Sequence, residues 1–276
     1  MRETNQTHSP SPEELEAILA LLDDSTPEVG DYVADRLAAT SGDLEEWIAS
    51  RTTPLPRSTA DRLAVLLRPA RRTVLEADWQ VPASGADSLA DDWEAVEALL
   101  RLLSDFLHDG VTLRQPMSDA LDLLAEEAVE ARVGSAAALR VWLFDGTRMK
   151  VRQEPLRAEF LDIAAMAAGE EGAAITACLL FLLLARRMDF DAEGILSGGS
   201  ACCRIHYSGE PWMILPAENG IAVRAHDFMR QTDQAFVPAP PGDLLVAYLR
   251  QLCRVLVHEE RAEDARLVKR LIQSLV

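Results

Sequence analysis

Basic residues are scarce in this chain of 276 residues: 27 Lys and Arg stand against 45 Asp and Glu, a formal net charge of −18. A nucleic-acid footprint needs clustered Lys and Arg, and an anionic membrane surface attracts the same charges, so neither partner is expected. Long apolar runs are also missing. The longest, AAITACLLFLLLA from Ala173 to Ala185, has thirteen residues, which suits a buried core helix and falls short of a bilayer span. The opening MRETNQTHSPSPEE has no apolar stretch of the kind a secretory signal carries, so a cytoplasmic location is expected. The four cysteines (Cys178, Cys202, Cys203, Cys253) form no CxxC and share no zinc-type spacing with histidine. They read as reduced thiols, and no metal is expected. Walker A, GxGxxG, HExxH and GxSxG patterns are all absent, and no cofactor is expected.

What is present is mostly helix. Ser11-Pro12-Glu13-Glu14 is a capping box with proline at the first helical position, and Leu15, Ile18, Leu19 and Leu22 follow at helical spacing. Thr26-Pro27-Glu28 restarts the pattern with Val29, Val33 and Leu37, which predicts an antiparallel pair joined by Asp23-Asp24-Ser25. LLDDSTPEVGDYVADRL resembles a HEAT-type repeat. Two more helices are expected over Gly42 to Ser50 and Thr59 to Glu76, and the acids at 13, 14, 23, 24, 45 and 46 read as solvated faces and helix starts. After the breaker-rich VPASGAD, helical spacing returns over Asp91–Leu107, Ser118–Arg132, Ser135–Phe144, Leu156–Ala168 and Ala173–Met188. The period then changes to that of short strands: Ala192–Leu196, Ser200–Tyr207, Pro211–Leu215 and Ile221–Ala225, an antiparallel meander. FVPAPPGD is a second linker, and Leu244–Val276 reads as two helices broken near Glu259–Arg261. The expectation is an α+β fold, mostly helical, with a small antiparallel sheet packed on a buried helix. Its regions are 1–80 (HEAT-like), 88–235 and 242–276.

This order of elements resembles the bacterial transglutaminase-like proteins of the SirB type. Trp142-Leu143-Phe144 is similar to that family's "LF" after its helical region, and the segment from Phe160 to Phe190 to its buried-helix motif. GILSGGSACCRIHY is similar to its "GVGFPGHFLVRY", WMILPAENG to its "LFIDPFNGG", and the last 35 residues to its tetratricopeptide-like helix pair, with Ala265 at the small packing position. The family's basic "RRxG" is acidic here, as Gly169-Glu170-Glu171-Gly172. Transglutaminase-like enzymes work with a cysteine at a helix start, a histidine on the next strand and an aspartate on the one after. Carried over one at a time, those positions fall on Ala174, Ser200 and Leu215. None of the three can serve as nucleophile, base or orienting acid. The resemblance therefore implies a degenerate, non-catalytic protein that binds protein partners, with the old cleft kept as a groove.

A displaced nucleophile is the rival reading, which would make the chain a cysteine-dependent hydrolase or acyltransferase. Cys178 lies one turn past Ala174 but inside ITACLLFLLL, where an apolar setting raises a thiol's pKa. Cys202 and His206 share a strand face, yet four residues place them roughly 13 Å apart, beyond any hydrogen bond. Cys203, Ile205 and Tyr207 point to the opposite face, which reads as core. Arg204, Trp212 and Asn219 are the binding candidates, against plainer roles as an ion-pair, packing and turn residue. His8, His108, His226 and His258 read as solvated.

Overall fold

The computed structural model describes residues 10–22, 26–154, 156–197, 199–232 and 238–276. The chain divides into two compact units, one of residues 1–78 with 108–114, the other of residues 79–107 with 115–276.

In the first unit the helices are α1 (Pro12–Leu21), α2 (Pro27–Ala38), α3 (Glu45–Ala49) and α4 (Arg57–Asp78). The capping box forms as read: the Ser11 hydroxyl accepts the Glu14 N–H and the Glu14 carboxylate accepts the Ser11 N–H. The expected apolar positions Leu15, Ile18, Leu22, Val33 and Leu37 join Leu44, Leu63, Leu67 and Val111 in one core. Asp23, Asp24 and Ser25 lie outside the described residues, as does His8.

The second unit holds α5 (Trp93–Leu107), α6 (Met117–Glu130) and α7 (Ala136–Arg140), the last running on into a wide π-type turn over Val141–Asp145. Next come β1 (Lys150–Val151), α8 (Ile163–Ala167), β2 (Glu171–Gly172) and α9 (Ala174–Arg187). Strands β3 (Ala192–Ser197), β4 (Ser200–Tyr207), β5 (Glu210–Leu215) and β6 (Ile221–Arg224) follow, then α10 (Ala225–Thr232), α11 (Pro241–His258) and α12 (Ala262–Leu275). The fold is α+β.

The apolar run becomes α9, buried at every residue from Ile175 to Ala185 because α6, α8, α11 and the sheet all pack on it. Strands β3 to β6 form an antiparallel meander in chain order. Ser208 and Gly209, both at positive φ, make the tight turn between β4 and β5. The register pairs Cys203 with Ile214 and Arg204 with Met213, which assigns each β4 residue to a face. Cys203 faces α9; Ile195, Cys202, Met213 and Leu215 cluster on the other side with Ala225 and Phe228 of α10.

Three elements differ from expectation. The helix expected over 156–168 is a 3₁₀ turn (Ala158–Leu161) followed by the short α8, because Asp162 breaks the chain between them. Its buried carboxylate accepts the Ala164 N–H at 2.9 Å and the Ser104 hydroxyl, capping α8 from within the core. Helix α10 takes Ala225, the expected end of the last strand, into a helix over residues for which no element is expected; Ala225 and Phe228 sit at helical spacing. The two-residue parallel pair of β1 with β2 carries no readable periodicity.

Candidate functional site

A cavity of about 420 Å³ opens at the first turn of α9. Ala174 and Ile175 come from that turn, Gly199, Ser200 and Ala201 from the start of β4. The segment after β1 supplies Arg152, Gln153, Glu154 and Leu156, and one face of α11 supplies Gln251, Arg254, Val255 and His258. The structure thus brings Ala174 and Ser200 to one hollow. Leu215 is elsewhere: it is buried in the apolar cluster with Cys202 and Met213 and does not line the cavity. Helix α9 has Ala173 at its N-cap and so no side-chain cap, and its first-turn N–H groups and positive dipole end lie beside the hollow.

The thiols lie one turn deeper. Cys178 and Cys203 are fully buried with sulfurs 3.4 Å apart, and the Cys178 thiol also reaches the Cys202 carbonyl at 3.4 Å. Burial, then the neighbouring Cys178 and Glu218, push the Cys202 thiol up to about 12. Burial and the contact with Cys178 push Cys203 well above its ordinary value. All four cysteines are free. Thiolate, the reactive form, is strongly disfavoured at Cys202 and Cys203 near neutral pH. His206 is exposed and faces Asp191 at 3.3 Å, outside this cluster.

The binding candidates scatter. Arg204 pairs across the sheet with Glu193, its register partner, through Nε at 2.6 Å. Asn219 is an exposed left-handed residue (φ 52°) that turns the chain into Gly220. At Gly220 (φ 73°) an added Cβ would meet the Phe144 ring at 2.1 Å. The "LF" and "NG" matches are therefore two sides of one close contact. Trp212 lines a separate hollow of about 410 Å³ with Ile205, Tyr207 and Val141, and its ring meets Tyr207 edge-on at 6.2 Å.

Two readings from the sequence are corrected in the first unit. His108 and Glu45 are not solvated: their side chains are 11% and 16% exposed. Glu45 accepts the Arg114 N–H at 3.1 Å, and burial, with Asp43 beside it, raises its carboxyl. Burial opposes the charge on Asp109, but hydrogen bonds from Thr112 and Val111 outweigh it and hold its carboxyl low. Asp43, Glu45 and His108 bring ligand atoms within 4.8 Å of one another. The histidine Nδ1, however, accepts the Gly110 N–H at 3.1 Å, which puts its proton on Nε2, facing Glu45 and Asp109. The ring is then neutral and turns a hydrogen, not a lone pair, toward the carboxylates, which is not the arrangement of a ligand set.

A buried helix whose first turn meets an antiparallel sheet at an open hollow is the ground plan of papain-like and transglutaminase-like thiol enzymes. The family match agrees with that plan: the profile of the transglutaminase-like superfamily matches residues 113–260, more than half of the chain, and the chain belongs to that superfamily. No curated protein and no solved structure matches it. Among the described residues no helix is long and apolar enough to cross a membrane.

Proposed function

We propose that this chain is a non-catalytic interaction or regulatory module that uses the transglutaminase-like cleft as a binding groove, nearest to the SirB-type members of the superfamily. One observation carries the reading: Ala174 and Ser200 line the same cavity at the start of α9, where the chemistry of the superfamily needs a thiol and an imidazole. The buried cysteines support it from the other side, since Cys178 and Cys203 have no exposed surface and Cys202 holds its proton to about 12. The hollow beside them has polar and charged walls suited to recognition. The helical pair α11 and α12 forms one of its walls through α11.

The test is turnover by pure protein of peptide amides and esters, with and without an amine acceptor. No thiol-dependent turnover is expected. Turnover that survives purification and disappears in Cys178→Ala or Cys202→Ala would overturn the reading in favour of a displaced-nucleophile hydrolase.

A further inference from the structure

We infer that the cavity at the start of α9 receives a carboxylate-bearing peptide segment, with Arg254 and Arg152 as its anchoring cations; this rests on the reading of that cavity as a binding groove. The local charge is opposite to that of the molecule. Over the chain 45 acids outnumber 27 Lys and Arg, yet the ionised groups that line the cavity are Arg152 and Arg254 against Glu154 alone.

Arg254 is the sharper case. Its side chain makes no hydrogen bond or ion pair with any described residue, although acids abound. Its helical neighbours toward the cavity, Gln251, Val255 and His258, include no acid that could neutralise it. Arg152 has a long contact to Glu171, 3.4 Å between half-exposed side chains, and lies over the Phe160 ring at 6.0 Å. That pair is worth little in water and yields readily to a better-placed carboxylate. The two arginines come from different elements and line one cavity, and guanidinium is the cation best matched to a carboxylate. The uncapped start of α9 adds its positive end to the same field.

The size and the walls narrow the ligand further. About 420 Å³ holds one or two side chains with their backbone. Ile175, Leu156 and Val255 supply an apolar surface for the methylenes of a glutamate, which an inorganic anion would not use. A long polyanion is disfavoured, because the net charge of −18 repels it wherever it leaves the cavity. A short acidic segment escapes most of that repulsion, which salt screens beyond about 8 Å.

Fluorescence anisotropy with a labelled Glu-rich hexapeptide and its Gln counterpart tests this, with full-length protein, Arg254→Ala, Arg152→Ala/Arg254→Ala and Arg254→Glu. Both arginines are exposed, so the variants should keep the wild-type circular dichroism. The Glu peptide should bind roughly tenfold or more tightly than the Gln peptide, as loss of a charge-assisted pair implies. The double variant should lose that preference, Arg254→Glu should reverse it, and free glutamate should compete only weakly. Equal binding of the two peptides, no binding of either, or a preference that survives the double variant overturns the inference. Free glutamate binding as tightly as the peptide overturns its peptide part. If turnover is absent, these results leave the non-catalytic reading standing; Cys202-dependent cleavage of the peptide would overturn that reading instead.

Discussion

The two ends of the first two turns of α9 teach opposite lessons. At Ala174 the helix meets an open, charged hollow, has no side-chain cap, and carries no thiol. One turn on, Cys178 touches Cys203 at 3.4 Å with both fully buried. A thiol enzyme needs thiol, helix dipole and solvent access at the same place. Here the wet end has the dipole and the access, and the dry end has the sulfur. Four residues along one helix separate the sulfur from the open hollow.

Moving sulfur to the wet end should show the largest effect. The thiol of Ala174→Cys should react with iodoacetamide roughly 10³-fold or more faster than Cys202, since a thiol of ordinary pKa is partly ionised at neutral pH and one near 12 is not. Mass spectrometry after timed labelling reads this directly, and equal rates would erase the distinction between the ends. Opening the dry end is the next largest change. Phe181 is fully buried on α9, so Phe181→Ala should cost about 3–5 kcal/mol in urea unfolding.

The proton on Cys202 gives a smaller, graded test. Its folded-state value near 12 lies above the ordinary 9.0. The unfolded chain therefore sheds this proton first as pH rises. Stability from this group is complete below the ordinary value and is lost between it and about 12, by about 1.4 kcal/mol per pH unit. Denaturation midpoints should fall on the alkaline side, and Cys202→Ala should flatten that fall. Smallest of all is Glu193→Gln, which removes the partner of Arg204 away from both ends. The pair is part-exposed, and stability should change by less than about 1 kcal/mol.

Much of this was legible in the sequence where one face of an element is apolar. The strand residues from Ala192 to Arg224 and the helix Ala174–Arg187 lie within a residue or two of their expected ends, because alternation and a long apolar run set them strongly. The three positions singled out by the resemblance do not share one place. Ala174 and Ser200 line one cavity because it lies where α9 and β4 begin, whereas Leu215 lies under α10. Arg152 and Arg254 were missed, since they are 102 positions apart in the numbering and only packing brings them to one volume. Asp162 was missed for a related reason. A lone aspartate in an apolar helical pattern looks like a surface residue until Ser104, 58 positions away, is seen to donate to it. His108 and Glu45 likewise read as solvated because the residues that bury them are distant in sequence.

The central claim, that sulfur and solvent are separated along α9, is tested most directly by residue-resolved alkylation of the native protein at neutral pH. Cys178, Cys202 and Cys203 should each react far more slowly than free cysteine, with the half-buried Cys253 the fastest of the four. One of the three buried thiols reacting faster than free cysteine would contradict the account and point back to a working nucleophile.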